Sequence, residues 1–146
     1  GKSDPQPIVC LQAPGCDYWD DWSAFIVKQL LKRRLINEED LSLFKVVNSA
    51  EAAVEEISTF YRRYHSIRFV GKLMAMRLKS PISAEQLEQI QARFGELLSE
   101  GRFELGTAWE EELDEPAIAS LPRLIFPFNR RSAGRLRQLI DHVNHL

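Results

Sequence analysis

Residues 7–22, PIVCLQAPGCDYWDDW, carry the clearest fold signal in this chain. They contain an apolar run, Ile8–Leu11, then a Pro-Gly turn and an aromatic segment that starts near Tyr18. A strand that is apolar on both faces is typical of parallel sheets covered by helices. Such a strand needs neighbours on both sides, and we expect some of them to be encoded upstream of this sequence. The stretch therefore predicts the interior of an α/β fold.

Composition excludes several classes of protein. The 146 residues are 45% hydrophobic and 27% charged, which is ordinary for a globular domain. The net charge of −2 argues against a nucleic-acid platform, which would be basic. No apolar run approaches the roughly 18 residues of a membrane span. Two cysteines, Cys10 and Cys16, make no disulfide framework, so we expect a cytoplasmic protein. From the net charge and the lack of a long apolar run, we expect no nucleic-acid partner and no membrane partner.

The first half of the chain alternates strand and helix signals. The opening strand is followed by a helix from Tyr18, with Asp17 as its expected N-cap. A second apolar run at residues 43–47 predicts another strand, and Asn48 or Ser49 precedes another helix. The order β-α-β-α implies parallel strands joined by helical crossovers. The side chains expected to be buried on these helices are Trp22, Phe25, Ile26, Val27, Leu30, Ala53, Val54, Ile57, Phe60, Tyr61 and Tyr64.

The second half predicts a small α+β unit. Strand signals occur at residues 73–78, 102–109 and 121–128, and the two prolines of the last run favour a sheet edge. The predicted order is β-α-β-β-α. Its helix boundaries are predicted from the capping box of Ser83 with Gln86, from Gly101 as a C-terminal glycine and from Ser132 as an N-cap. We therefore divide the chain into residues 1–65 and 66–146.

The candidate binding site is the turn at residues 13–19. It lies at the carboxyl end of a strand and the start of a helix, where open α/β sheets bind ligands. Backbone N–H groups of a helix start can hold an anion, and aromatic rings can stack on a base. Gly15, Tyr18 and Trp19 are the expected substrate-binding residues. The alternative interpretation is a turn glycine followed by core aromatics.

Other polar residues indicate no catalytic centre and no metal site. Asp20 and Asp21 are adjacent, so they point about 100° apart on a helix and cannot act together on one bond. His142 and His145 lack a third ligand. No phosphate-binding glycine loop and no nucleophile elbow is present. We therefore assign no catalytic residue, no metal ligand and no cofactor.

A basic cluster surrounds the start of the last helix, formed by Arg130, Arg131, Arg135 and Arg137. An acidic segment at residues 110–115 balances its charge. This pairing favours an internal or intersubunit charge match over a nucleic-acid site.

Four segments are similar to LOG-like proteins, which are Rossmann-type nucleoside 5′-monophosphate phosphoribohydrolases long mislabelled lysine decarboxylases. Residues 7–22, 30–57 (LLKRRLINEEDLSLFKVVNSAEAAVEEI) and 60–83 (FYRRYHSIRFVGKLMAMRLKSPIS) resemble the carboxyl-terminal part of that family in order and spacing. Residues 121–141 (LPRLIFPFNRRSAGRLRQLID) resemble a longer bacterial subgroup with an added C-terminal unit. The resemblance implies that residues 1–65 are the C-terminal portion of a Rossmann-like domain.

The resemblance also limits what this chain does alone. The family's Pro-Gly-Gly-x-Gly-Thr-x-x-Glu loop, which holds phosphate and supplies the catalytic glutamate, is absent from this sequence. No catalytic residue is therefore carried over, and the chain alone is expected to be inactive. A nucleoside 5′-monophosphate is the implied ligand, with the edge around Gly15, Tyr18 and Trp19 at the rim of the active site. We also expect a homo-oligomer. The alternative is a non-catalytic assembly or ligand-sensing module.

Overall fold

Two sheets with different strand directions organise the molecule, which a computed structural model describes over residues 4–110 and 116–146. The strands are β1 (Ile8–Leu11), β2 (Phe44–Val47), β3 (Tyr64–Val70), β4 (Leu73–Leu78), β5 (Glu104–Gly106) and β6 (Arg123–Pro127). The α-helices are α1 (Tyr18–Phe25), α2 (Ala50–Phe60), α3 (Ala84–Phe94), α4 (Pro116–Ala119) and α5 (Ala133–His145). A π-helical segment (Ile26–Leu31) and two 3-10 helices (Glu38–Leu43 and Gly95–Leu97) complete the helical elements.

The first sheet is a parallel pair, as predicted. β1 and β2 run in register from Ile8 beside Phe44 to Leu11 beside Val47. The N–H of Gln12 donates to the carbonyl of Val47 at 2.8 Å and extends the pairing by one bond. Within residues 4–110 and 116–146, neither strand pairs with a third. The chain is thus mixed α/β, and its parallel part is two strands wide.

The second sheet corrects the predicted β-α-β-β-α order. It has four antiparallel strands in the order β3-β4-β6-β5. The strands β4, β5 and β6 correspond to the three predicted ones, and β3 is an additional strand that precedes them in the chain. The spacing of Tyr64 from Phe60 fits a helical stripe, which is why the sequence extends α2 too far. The helix ends at Phe60, and β3 turns into β4 through Gly71, whose φ of +59° suits a tight hairpin.

Two further expectations for this sheet are wrong. The proline-containing strand is not at the edge, since β6 lies between β4 and β5. Pro122 precedes β6 and Pro127 ends it, so both prolines avoid the middle of the ladder. The predicted strand 102–109 is reduced to Glu104–Gly106.

Helix ends follow the expected chemistry at some positions only. Ser49 Oγ accepts from the N–H of Ala52 at 3.1 Å, and Ser83 and Gln86 form the predicted capping box. By contrast, the α3 helix ends at Phe94, well before Gly101, and a 3-10 turn follows it. Ser132 Oγ makes no cap hydrogen bond, because it accepts from the side chain of Asn129 instead.

The hydrophobic core belongs almost wholly to the second sheet, with α3, α5 and the end of α2 packed on it. Of the ten strongly exposed large hydrophobic side chains in the described part of the chain, eight lie before residue 60. Phe60 and Tyr64 are buried as predicted, but several other side chains of the predicted buried faces of α1 and α2 are not. Phe25 is 55% exposed and Val54 is 63% exposed. These eight side chains are Ile8, Leu11, Tyr18, Phe25, Val27, Leu35, Val54 and Ile57.

Helix α5 joins the two halves of the chain. At Gly134 it approaches the 3-10 helix Glu38–Leu43 so closely that a Cβ added there would lie 2.3 Å from the carbonyl oxygen of Glu39. The predicted division between residues 65 and 66 falls inside β3 and stays a prediction. None of the helices described in residues 4–110 and 116–146 has the length and apolar character required to cross a membrane.

Candidate functional site

The turn after β1 is a type II turn. The N–H of Cys16 donates to the carbonyl of Ala13 at 3.0 Å, and Gly15 has a φ of +74°. Proline at the second position and glycine at the third are the residues that this turn type favours. A Cβ at Gly15 would meet nothing within 4 Å, so the glycine is required by the backbone angle and not by crowding. The turn brings α1 back over the end of β1.

Gln12 holds the start of α1. Its Oε1 accepts from the backbone N–H groups of Trp19 (3.0 Å) and Asp20 (3.2 Å), and its Nε2 donates to Asp20 Oδ2 at 2.7 Å. Asp17, the predicted cap, makes no side-chain cap bond. No local pattern points to Gln12, because capping patterns relate residues three apart and this contact spans seven and eight residues.

Aromatic rings form a ladder beside this turn. Neighbouring rings meet edge to face, with centroids 5.0 Å apart for Tyr18 and Trp19 and 5.7 Å apart for Trp19 and Trp22. Trp22 continues the contact to Phe44 of β2 at 4.7 Å. The indole N–H of Trp19 donates to the carbonyl of Leu11 at 3.1 Å, which fixes that ring against the strand end. Tyr18 is the outermost ring and is 63% exposed, so it offers a face for stacking.

The electrostatics of the turn do not favour phosphate. Gln12 already occupies the N–H groups of Trp19 and Asp20, and the N–H of Asp21 donates to the carbonyl of Asp17. Three carboxylates surround the same helix start, which stabilises the helix dipole and repels an anion. This edge therefore suits an uncharged ring or sugar better than a phosphate group.

A second polar cluster lies between α2 and α5. Arg137 donates from Nη2 to Glu56 Oε1 at 2.6 Å and from Nε to Asp141 Oδ1 at 2.8 Å. Lys45 Nζ donates to the other oxygen of Glu56 at 2.6 Å. The guanidinium carbon of Arg137 lies 4.9 Å from the ring centroid of Phe60. The four charged groups line one wall of an open cleft of about 550 Å³.

The two carboxylates of this cluster have opposite pKa shifts. Burial raises the pKa of Glu56, but the hydrogen bonds and charges of Lys45 and Arg137 outweigh it, so the net pKa is lowered. For Asp141, burial dominates over the contact with Arg137, and the negative charge of Glu56 adds to it, so the pKa is raised. The cluster is consequently a network of ion pairs in which the surroundings favour ionisation of Glu56 and disfavour ionisation of Asp141.

Two of the four arginines in the basic cluster of the last helix form ion pairs inside the chain. Arg135 pairs with Glu96, and Arg137 pairs with Glu56 and Asp141. The expected partner, the acidic segment at 110–115, lies outside the described residues except for Glu110. Across residues 4–110 and 116–146, no group of three or more His, Cys, Asp or Glu side chains is placed to hold a metal ion.

The three predicted binding residues occupy one edge of the molecule. Gly15 is in the exposed turn, Tyr18 is exposed at the first turn of α1, and Trp19 is half-buried between them and Leu11. Tyr18 and Trp19 contact each other, whereas Gly15 contributes the turn that directs the chain towards them. Neither Glu56 nor Arg137 carried a local sequence signal, since their contact spans 81 residues. No family model, no curated protein and no solved structure matches this chain.

Proposed function

We propose that this chain is the C-terminal part of a Rossmann-like enzyme that hydrolyses the N-glycosidic bond of a nucleoside 5′-monophosphate. The enzyme would act in the cytoplasm as a homo-oligomer. The observation that carries the proposal is the parallel pair β1–β2, whose outer edges have no partner in the described part of the chain. Two parallel strands make a poor sheet by themselves, because parallel sheets are normally covered on both faces and widened by further strands.

The exposed side chains support the same proposal. Ile8 and Leu11 of β1 are about half exposed, and Phe25 of α1 and Val54 of α2 are exposed as well. Apolar side chains concentrated on one part of a surface mark a place where another element packs. Further strands and helices of a larger α/β domain would cover them.

The contribution of this chain to the chemistry would be at the rim. Tyr18 and Trp19 present rings at the carboxyl edge of the sheet, and the acidic helix start beside them disfavours phosphate. The base or the ribose of the substrate would therefore contact these rings. The Pro-Gly-Gly-x-Gly-Thr-x-x-Glu loop of the rest of the enzyme would hold the substrate's phosphate and supply the catalytic carboxylate. A carboxylate there would stabilise the oxocarbenium-like charge as the glycosidic bond breaks.

The test compares base release from AMP by this chain and by the complete polypeptide encoded with it. The chain alone should show no turnover, and the complete polypeptide should release adenine and ribose 5-phosphate. Robust turnover by the 146-residue chain alone would contradict the proposal that the catalytic centre lies outside this chain. If the complete polypeptide lacks the glycine-rich loop and releases no adenine, this enzyme class is excluded.

The role of the aromatic rim is tested in the complete enzyme. Replacing Tyr18 by Ala should raise KM severalfold with little change in stability, because the ring is exposed. Leu105→Ala, at an exposed position in β5, is the matched control and should leave KM unchanged. An unchanged KM in both variants would remove Tyr18 from the substrate site.

The second candidate is a non-catalytic assembly module. It is favoured by the core around the second sheet, which is well buried without help from the parallel pair. Sedimentation of the chain separates the two proposals. A monodisperse dimer that unfolds cooperatively, and that Val54→Glu converts to monomers, would favour assembly through the exposed helices.

A further inference from the structure

A mostly apolar cavity lies between the two sheets. Its volume is about 510 Å³, within the range of roughly 300 to 1,000 Å³ that small-molecule sites occupy. Both halves of the chain contribute to its wall. The apolar side chains that line it include Ile8, Leu43, Phe69, Met74, Phe128 and Leu136. A hydrocarbon or aromatic body placed here would be removed from water on several sides.

Arg130 stands at this cavity in an unfavourable backbone conformation. Its φ is +59°, a region that non-glycine residues rarely adopt and that costs free energy. The neighbouring Asn129 holds the loop in place. Asn129 Oδ1 accepts from the N–H of Arg131 at 2.9 Å, and its Nδ2 donates to the carbonyl of Glu96 at 2.8 Å. The loop is thus fixed in a strained shape that presents the Arg130 side chain to the cavity.

The Arg130 guanidinium retains free hydrogen-bond donors. Its carbon lies 4.5 Å from the ring centroid of Phe69, and Nη2 donates to the carbonyl of Gly71 at 3.1 Å. Among the residues that the structure describes, no acceptor is bound to Nε or Nη1. An arginine stacked on a ring with open donors is suited to binding a carboxylate.

The second cation of the lining, Arg137, is already paired. Arg137 pairs with Glu56 and Asp141. Asp4 is exposed and keeps its negative charge, with a long hydrogen bond of 3.5 Å from the N–H of Ile67 to its Oδ2. Among the described residues that line the cavity, Arg130 is therefore the one cation left for a ligand, which matches a single negative charge better than a dianion.

We propose that this cavity binds an apolar monocarboxylate, with the carboxylate on the Arg130 guanidinium and the hydrocarbon part against Phe69, Met74 and Leu136. The site is separate from the aromatic edge at residues 13–19 and does not depend on the proposed enzyme activity. A ligand there would contact both sheets, so its binding would also stabilise their packing.

The experiment measures binding of decanoate to the 146-residue chain by calorimetry, below the concentration at which decanoate forms micelles. Decanol and decyltrimethylammonium are the comparison ligands. Decanoate should bind at one saturable site. Decanol should bind with an affinity at least about tenfold lower, and decyltrimethylammonium should not bind. No saturable binding of decanoate, or equal affinity for decanol, would overturn the proposal.

Two variants locate the site. Arg130→Gly removes the guanidinium and suits the positive φ, so the protein should fold while decanoate binding falls to the level of decanol. Arg34→Gly is the matched control, because Arg34 also has a φ of +59° but does not line the cavity. Ala133→Trp, at an exposed position in the cavity wall, should block binding of both decanoate and decanol. Wild-type affinity for decanoate in Arg130→Gly or in Ala133→Trp would show that the ligand binds elsewhere.

Discussion

Arg137 Nη2 donates to Glu56 Oε1 over 2.6 Å and thereby joins α5 to α2. Both side chains are almost fully buried, with 7% and 9% of their surface exposed. Glu56 has a second cation, Lys45, and Arg137 has a second carboxylate, Asp141, so the contact is part of a chain of charges. Since α2 follows the parallel pair and α5 covers the antiparallel sheet, this ion pair ties the two halves of the molecule together.

Replacing Arg137 by Met should destabilise the protein by about 3 kcal/mol, because Glu56 would be left with Lys45 alone in a buried site. The free energy of unfolding in urea measures the effect. Arg102→Met is the control, since Arg102 pairs with Glu88 on the surface and should cost less than about 1 kcal/mol. Adding Glu56→Gln to Arg137→Met should recover much of the loss. If the double variant is no more stable than the single one, the unpaired charge is not the cause.

The two carboxylates of this cluster should affect acid stability in opposite directions. The pKa of Glu56 is lowered in the folded state, so its contribution is present above the unfolded pKa and is lost as pH falls through the folded pKa. The pKa of Asp141 is raised, so its ionisation opposes folding, and this cost disappears as pH falls through the folded value.

Unfolding free energies of Glu56→Gln and Asp141→Asn between pH 7 and pH 3 check these signs. Glu56→Gln should lower stability at pH 7 and reduce its decline in acid. Asp141→Asn should reduce the gain that protonation of Asp141 provides, so its stability should fall more steeply with acid than that of the unmodified chain. The same pH slope in both variants would refute the opposite shifts.

Gln12→Ala should loosen the start of α1. The N–H groups of Trp19 and Asp20 would lose their acceptor, at a cost of about 1 kcal/mol by comparison with helix N-caps. Amide hydrogen exchange at these two residues is the direct measurement, and both should exchange faster. Asp17→Ala is the matched control, because Asp17 stands at the N-cap without a side-chain cap bond and should leave both rates unchanged. Equal effects of the two variants would assign the cap to Asp17 after all.

Gly134→Ala should be strongly destabilising despite the better helix propensity of alanine. The added Cβ would lie 2.3 Å from the backbone oxygen of Glu39, and a backbone atom cannot move aside as a side-chain end can. A loss of about 3 kcal/mol or more is expected, at the upper end for overpacked sites. Gly95→Ala is the control, since its Cβ would lie 3.7 Å from the Gln91 side chain and should cost little. Thermal unfolding of both variants decides whether α5 and the 3-10 helix touch as closely as described.

Local sequence patterns predicted those elements whose signals are local. The apolar run Ile8–Leu11, the type II turn residues Pro14 and Gly15, and the capping box of Ser83 with Gln86 each depend on neighbouring residues. The strand β3 was missed because Tyr64 continues the spacing of the α2 stripe. Residues 64–70 form a strand because they pair with β4, and strand pairing depends on two segments rather than on one.

Only the part of the candidate site that depends on neighbouring residues could be predicted from the sequence. Tyr18 and Trp19 could be placed at a strand–helix edge from their order in the chain. Gln12, which occupies the helix N–H groups, could not, because its contacts depend on how the turn folds back. This single residue changes the electrostatics of the edge, since it leaves little for a phosphate to bind.

Local patterns in the sequence were enough to predict the alternation of strands and helices in the first half, the parallel direction of β1 and β2 and the aromatic character of the first helix. Those features follow from side-chain periodicity and from turn chemistry, which act over a few residues. Which apolar faces are covered, which charges are paired and where a cavity remains depend on how distant segments pack together. Contacts such as Arg137 with Glu56 join residues 81 positions apart, and no local pattern specifies them.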